Sequence, residues 1–493
     1  MKKFKKNTLI LLLIMLQLVF VIPLNAADYS DYLDKVIDLV NERYYQDVPE
    51  EELIEGALRG IFDTMDDYTT FFDMDEAASF MSSMEGNYQG IGVEITQVPE
   101  GVLVTRVFSN SPAESAGILP NDRIVQVEKA DVKGFTATDV AALIRGENGT
   151  YVEVGILRGN STEIIYINVQ RSVVNISPVT WKQEGDIMYI KLESFSSNSS
   201  LYFKKALKDM DDLGLRKMVL DLRNNPGGEV SQAVSIARLL VHKGIITTLD
   251  FKSEETSDVV YQSYMTRAKY IPAVLVNGNS ASASEILASA IQDSQDGFLI
   301  GTKTFGKGVV QNLYPILSPR AYERYKILYG EGIIDGYDWI NKHGVNILDS
   351  DLIGWTKITT GHYLTRSGKM IDSIGITPDF VVENYELVKG IDIQSVKTLE
   401  STVDITVNGI ANDVYNAEKV LTVMGYALDA PDNILDNKTS DALKKYQTNK
   451  GINSTGIIDS NTREFINKDI KTLQLSIDKQ YAKAIELLGL FNH

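Results

Sequence analysis

Beyond Val174, short β-branched runs alternate with helical stretches, and this rhythm limits the possible folds more than any other feature of the chain. DIMYIKL, KMVLDLR, PAVLVN and GFLIGT read as strands, and helical patterns lie between them at 201–213, 230–241 and 282–292. Strand and helix in strict turn argue a layered α/β structure. In such a structure ligands gather where strands end and helices begin.

The flanking segments have different textures. At 29–83 apolar residues recur at helical spacing (Leu33, Val36, Ile37 and Val40, then Leu53, Ile54, Leu58 and Ile61), predicting a helical region that packs on the body or pairs with a second copy as a homodimer. From 86 to 171 come GVEITQV, GVLVTRV, RIVQVE and YVEVGILR, broken by Gly, Pro and Asn and by the short helical patterns SPAESAG and TATDVAALIRG. The module opens with YQGIGVEI, in which Gly90 and Gly92 let successive amides turn outward as a nest for a carboxylate, beside a strand edge able to take an extended peptide. A plain turn satisfies the same glycines. After 413 two helical patterns frame a glycine-rich connection, and a last amphipathic helix is predicted at 470–490.

Composition removes several function classes. A formal charge of −18 repels nucleic-acid phosphates and anionic lipid head groups. The chain has no cysteine, so disulfides, thiol nucleophiles and thiolate metal sites are excluded. Its four histidines, His242, His343, His362 and His493, show no zinc-ligand spacing. Lys2, Lys3, Lys5 and Lys6 precede an apolar run from about 9 to 24 and then Ala26 and Ala27, the order of an export signal, with an uncleaved anchor as the alternative. Either version places the rest outside the cytoplasmic membrane.

Two stretches carry chemistry, NGNSASASEILASAIQD at 277–293 and GTKTFGKGVVQ at 301–311. The first sets Ser280, Ser282 and Ser284 at a strand-to-helix junction, where free helix amides can stabilise an oxyanion and where serines also serve as a cap and polar first turn. The second brackets Lys307 between glycines. A phosphate loop G-x-x-x-x-G-K fits Gly301 to Lys307, but the Ser or Thr that must follow is Gly308. Asp221 and Arg223 alternate on one strand and read as a structural ion pair or a rim contact, Glu285 favours the helix N-terminus, and His362 offers only a remote Ser-His arrangement.

These motifs resemble known families. YQGIGV and SPAESAGILPNDRIVQVE are similar to a PDZ domain, which implies a peptide-binding loop at Tyr88, Gln89, Gly90, Ile91, Gly92 and Val93. VYNAEKVLTVMGYALD and NKTSDALKKYQTNKGINSTGIIDSNTREFI resemble peptidoglycan-binding repeats. SASASE followed by TFGKGVVQ looks like the carboxyl-terminal processing, or tail-specific, serine peptidases, a likeness that runs from about 30 to 390 and includes TGHYLTRSGKMIDSIGITPDF.

The resemblance implies an α/β (α+β) multidomain protein with a ClpP/crotonase-like peptidase core. The divisions are a signal peptide at 1–27, a helical region at 28–85, a PDZ domain at 86–172, the core at 173–395, a peptidoglycan-binding-like domain at 396–475 and a C-terminal helix at 476–493. Position by position it implies Ser282 as nucleophile, Lys307 as general base, Gln311 supporting the lysine, and Ala283 with Gly228 or Gly227 as oxyanion donors. Arg145 at the end of the PDZ helix would couple groove occupancy to catalysis. No metal or organic cofactor is required, and protein tails with apolar C-termini are the expected substrates. The rival from another class is a wall-bound peptide-binding scaffold with an inert centre.

Two physical conditions accompany this reading. A free lysine has a pKa of about 10.4, so a base needs an amine kept from water and from acids. A fully extended chain would hold Lys307 and Gln311 about 13 Å apart, so their contact needs a bend. The segment 317–353 is larger than the family pattern.

Overall fold

The computed structural model describes residues 30–491 apart from 100, 160, 254, 255, 384 and 385. The expected export signal at 1–27 lies outside the described residues. The chain forms two compact units, one from residues up to Ala77 with Asn312–Ile358, the other from Ala78–Gln311 with everything from Thr359 on.

In the first unit, helices Ser30–Arg43 and Glu50–Phe62 precede a short strand, Thr70–Phe72, which pairs antiparallel with residues 355–357 of the long strand Leu352–Leu364. The enlarged segment folds as helices Pro319–Tyr329 and Gly336–His343 around Leu317, Ala321, Tyr325 and Trp339. Ser318 starts the first of these by accepting the Ala321 amide, with proline in the first turn, and Gly330 ends it at φ 77°.

The second unit is built on a six-stranded sheet in the order Val179–Glu184, Ile187–Leu192, Lys217–Asp221, Ile271–Val276, Phe298–Gly301, Phe380–Val381. The first pair is antiparallel and the rest parallel. Every residue of Lys217–Asp221 is buried, as a parallel strand covered on both faces requires. On one face Met218, Leu220, Val274 and Val276 pack with helices Ser199–Asp212, Val230–Leu240 and Ala283–Ser294. On the other, Ile187, Val219, Leu275 and Ile300 meet Tyr481, Ala484, Leu487 and Leu488 of the helix Lys479–Leu488. The single helix expected at 470–490 is thus broken. Asp478 ends Ser460–Ile477 and starts the next helix by accepting the Tyr481 amide at 2.9 Å, so the chain turns onto the sheet.

Residues 93–170 form an antiparallel sheet whose edge is the strand Val93–Val98, flanked by the helix Ala137–Ile144. Thr136 and Asp139 cap that helix reciprocally. At the C-terminal end, helices Asn412–Val423, Asn437–Lys450 and Ser460–Ile477 enclose Val414, Leu421, Leu443, Tyr446 and Ile466. The buried Gln447 amide donates to the Ile457 carbonyl at 2.9 Å and Thr462 at 2.8 Å, which fixes the glycine-containing connection.

Candidate active site

The strands Lys217–Asp221 and Ile271–Val276 end side by side, and the loops after them interlock. Ser280 Oγ donates to the Leu222 carbonyl at 2.8 Å, and Ser284 Oγ donates to the Asn225 carbonyl at 2.9 Å. Both serines are fully buried, so the outer members of the triplet serve as struts. Ser282 between them is partly exposed, at φ 56° and ψ −116°, a conformation that a residue with a Cβ adopts only under constraint from its surroundings.

That constraint comes from Glu285. Its fully buried carboxylate accepts the Ser282 amide at 2.9 Å, the Thr304 hydroxyl at 2.6 Å, the Gly306 amide at 2.8 Å and the Lys307 amide at 2.9 Å. Ser282 and Lys307 bond the same oxygen, Oε2, so their amides lie within two hydrogen-bond lengths of each other. Burial is the largest influence on this carboxyl and pushes its pKa up, against hydrogen bonds that favour the ionised form. Tyr363 completes the clamp, with its hydroxyl 3.1 Å from the Ser282 carbonyl and also bonded to the Lys307 carbonyl. From sequence alone Glu285 has only a helix-terminus role and Tyr363 has none. Glu285 carries a signal in hindsight, being a carboxylate three residues past the serine, whereas Tyr363 arrives on a strand distant in sequence.

The glycines flanking Lys307 answer to close packing. A Cβ on Gly306 would lie 2.8 Å from the Gly375 nitrogen, and one on Gly308 would lie 2.5 Å from that of Asp372. Lys307 is half-buried. Gln311, in the strand Val309–Leu317, donates from Nε2 to Thr359 Oγ1 at 3.3 Å. His362 follows a different path: it neighbours Tyr363 on one strand, and alternation turns its side chain away from the face that Tyr363 presents to Ser282.

Across the Ser282 loop, Gly227 lies so close that a Cβ there would sit 2.8 Å from both Ser282 Cβ and the Ala281 carbonyl. Its amide donates to Asn225 Oδ1 at 2.9 Å. At Gly228, φ is 139° and a Cβ would meet the Phe195 carbonyl at 2.3 Å. Nearby, Arg223 grips Asp221 through Nη2 at 2.6 Å and reaches Asp478 at 2.8 Å. Burial penalises the Asp221 charge, but the facing guanidinium and its hydrogen bonds outweigh that and hold the carboxyl below its usual range. The pair ties the end of the strand Lys217–Asp221 to the start of the helix Lys479–Leu488.

In the antiparallel module, backbone pairing joins Tyr88, Gln89 and Gly90 to Val174, Val173 and Ser172. Ile91 is buried in the module's core, and Gly92, at φ 83°, leaves only 2.4 Å between a built Cβ and Ser111 Cβ. A cavity of about 250 Å³ opens between this loop, Val93 of the edge strand, and Ala141, Ile144 and Arg145 at the end of the helix.

The comparisons with known proteins agree with this division of labour. The profile of peptidase family S41 matches residues 186–382, that of the PDZ domain 89–169, that of a peptidoglycan-binding domain 410–466, and that of the activating protease CtpB N-terminal domain 25–76. The carboxy-terminal processing protease CtpA of Bacillus subtilis (strain 168) is 29% identical over 463 residues, 93% of this chain and 90% of its own. A carboxy-terminal-processing protease of Bartonella bacilliformis is 31% identical over 368 residues, 73% of this chain and 76% of its own. Among solved structures, a photosystem II D1 C-terminal processing protease is 26% identical, with 71% of this chain and 86% of that one covered at a TM-score of 0.38. The chain belongs to the PDZ-containing, carboxy-terminal-processing serine proteases of peptidase family S41.

Proposed function

We propose that the protein binds the C-terminal tail of a protein substrate in the groove beside Val93–Val98 and cleaves it nearby through an acyl-enzyme on Ser282. Lys307, as a neutral amine, takes the Ser282 hydroxyl proton while Oγ attacks the peptide carbonyl. The developing oxyanion is received by the amides of Ala283 and Gly228. Gly228 is favoured over Gly227 because the Gly227 amide already serves Asn225. The lysine ammonium then gives its proton to the departing amine, and water, deprotonated in turn by Lys307, releases the acyl group. Gln311 stands on the strand leaving the lysine loop and supports that loop from Thr359.

The observation that carries this reading is the shared Glu285 oxygen, which brings the nucleophile and lysine loops together at one point. Wild type, Ser282→Ala and Lys307→Ala should be compared on an unfolded protein with an apolar C-terminus. Both variants are expected to lose cleavage. Equal cleavage by all three would leave only the inert scaffold.

The peptidoglycan-binding profile and the leader pattern support an extracytoplasmic, wall-associated setting. Arg145 lines the mouth of the groove, which suits it to report occupancy. Arg145→Ala should retain basal cleavage and lose stimulation by added tail peptide.

A further inference from the structure

The edge strand Val93–Val98 serves two cavities. Glu94 and Ile95 line the groove beside the helix Ala137–Ile144, and they also line a second cavity of about 560 Å³ whose opposite wall belongs to the C-terminal helical domain. Tyr415 and Lys419 of the helix Asn412–Val423 and Lys397 of the preceding segment stand on that wall. Val93 and Ile95 pack toward the core of the antiparallel module, so Glu94 and Thr96 point to its other face, where the second cavity opens.

A peptide added to this edge has the same two-sided character. With its carboxylate at Gly90 and Gly92, ahead of Val93, it runs antiparallel to the strand, and its side chains alternate between the two faces. The last side chain enters the apolar groove beside the helix. The next-to-last, and the one two places before it, face Glu94 and Thr96 and so enter the second cavity. Lys397 pairs with Glu94 there at 3.3 Å. The Lys419 ammonium lies 4.1 Å over the Tyr415 ring and has no carboxylate within ion-pair range among the described residues.

We infer that the C-terminal domain forms a second specificity subsite for the substrate tail, in which Lys419 selects an acidic side chain one or three places before the last residue. This rests on the tail-binding reading above and adds to it the part of the tail that the helical domain reads. The apolar groove takes the last side chain, whereas this subsite reads side chains that alternation turns to the other face.

The test uses full-length protein carrying Ser282→Ala and labelled heptapeptides that share one apolar last residue, with Asp or Lys at the two positions named. Binding is measured by fluorescence anisotropy at low salt. The Asp peptide is expected to bind about fivefold more tightly than the Lys peptide, as a partly exposed ion pair of about 1 kcal/mol implies. Lys419→Glu, checked for folding by circular dichroism, should abolish or invert the preference. Equal binding of the two peptides, or a preference that survives Lys419→Glu, overturns the subsite. An amidated C-terminus separates this failure from that of the underlying reading: if amidation abolishes binding without any charge preference, the groove stands and the subsite falls, and if amidation changes nothing, both fall.

Discussion

Three serines alternate at 280, 282 and 284, and their neighbours decide their fates. The outer two are buried on carbonyl oxygens of the adjacent loop, while the middle one is turned outward at a positive φ. Glu285 holds that turn, since its carboxylate takes amides from both the Ser282 loop and the Lys307 loop. Glu285→Gln keeps the shape but replaces one of the two acceptor oxygens by a donor that faces those amides. Because a displacement of reacting groups by about 1 Å costs roughly 10²-fold, kcat is expected to fall on that order with KM nearly unchanged. Steady-state kinetics on a protein with a native circular dichroism spectrum checks this, and an unchanged kcat would remove the clamp from the account.

Among the elements, the α/β rhythm and the edge-strand module were legible because each rests on local periodicity of apolar residues. The triplet and the glycine-bracketed lysine were legible as motifs. The break at Asp478 was not, because a helix pattern that continues across 470–490 does not reveal that one aspartate ends a helix, starts another and binds Arg223. Tyr363 was hidden for a related reason: its role arises from the pairing of distant segments. Within the C-terminal helices, Glu418 holds an acid whose burial outweighs its bonds to Thr439 and the Asp432 amide and pushes it up to about 7. The folded state therefore holds a proton that the unfolded chain, with an ordinary value of 4.5, has lost. This contribution is complete below the unfolded value and fades as pH rises through the folded one. Urea midpoints of the C-terminal helices in the full chain, followed by hydrogen exchange, should decline from about pH 5 to 8 relative to Glu418→Gln. Parallel midpoints for the two proteins would show that Glu418 does not titrate in that window.

For the molecule as a whole, the helix Lys479–Leu488 belongs to the catalytic sheet although it lies beyond the peptidoglycan-binding segment in sequence. Leu488 is fully buried against that sheet, so Leu488→Ala should cost about 2–5 kcal/mol, read as a lower denaturant midpoint of the peptidase core. A midpoint unchanged by the substitution would mean that the helix is an appendage. The helical domain is thereby tethered at both ends of its segment, which keeps its wall beside the edge strand Val93–Val98. The central claim is that Lys307 is the base for Ser282, and the most direct test is the rate at which a fluorophosphonate modifies Ser282 as a function of pH, followed by intact mass. The account predicts modification of Ser282 alone, with a rate that rises through one ionisation and is lost in Lys307→Ala. Equal rates in wild type and Lys307→Ala across the pH range would contradict it.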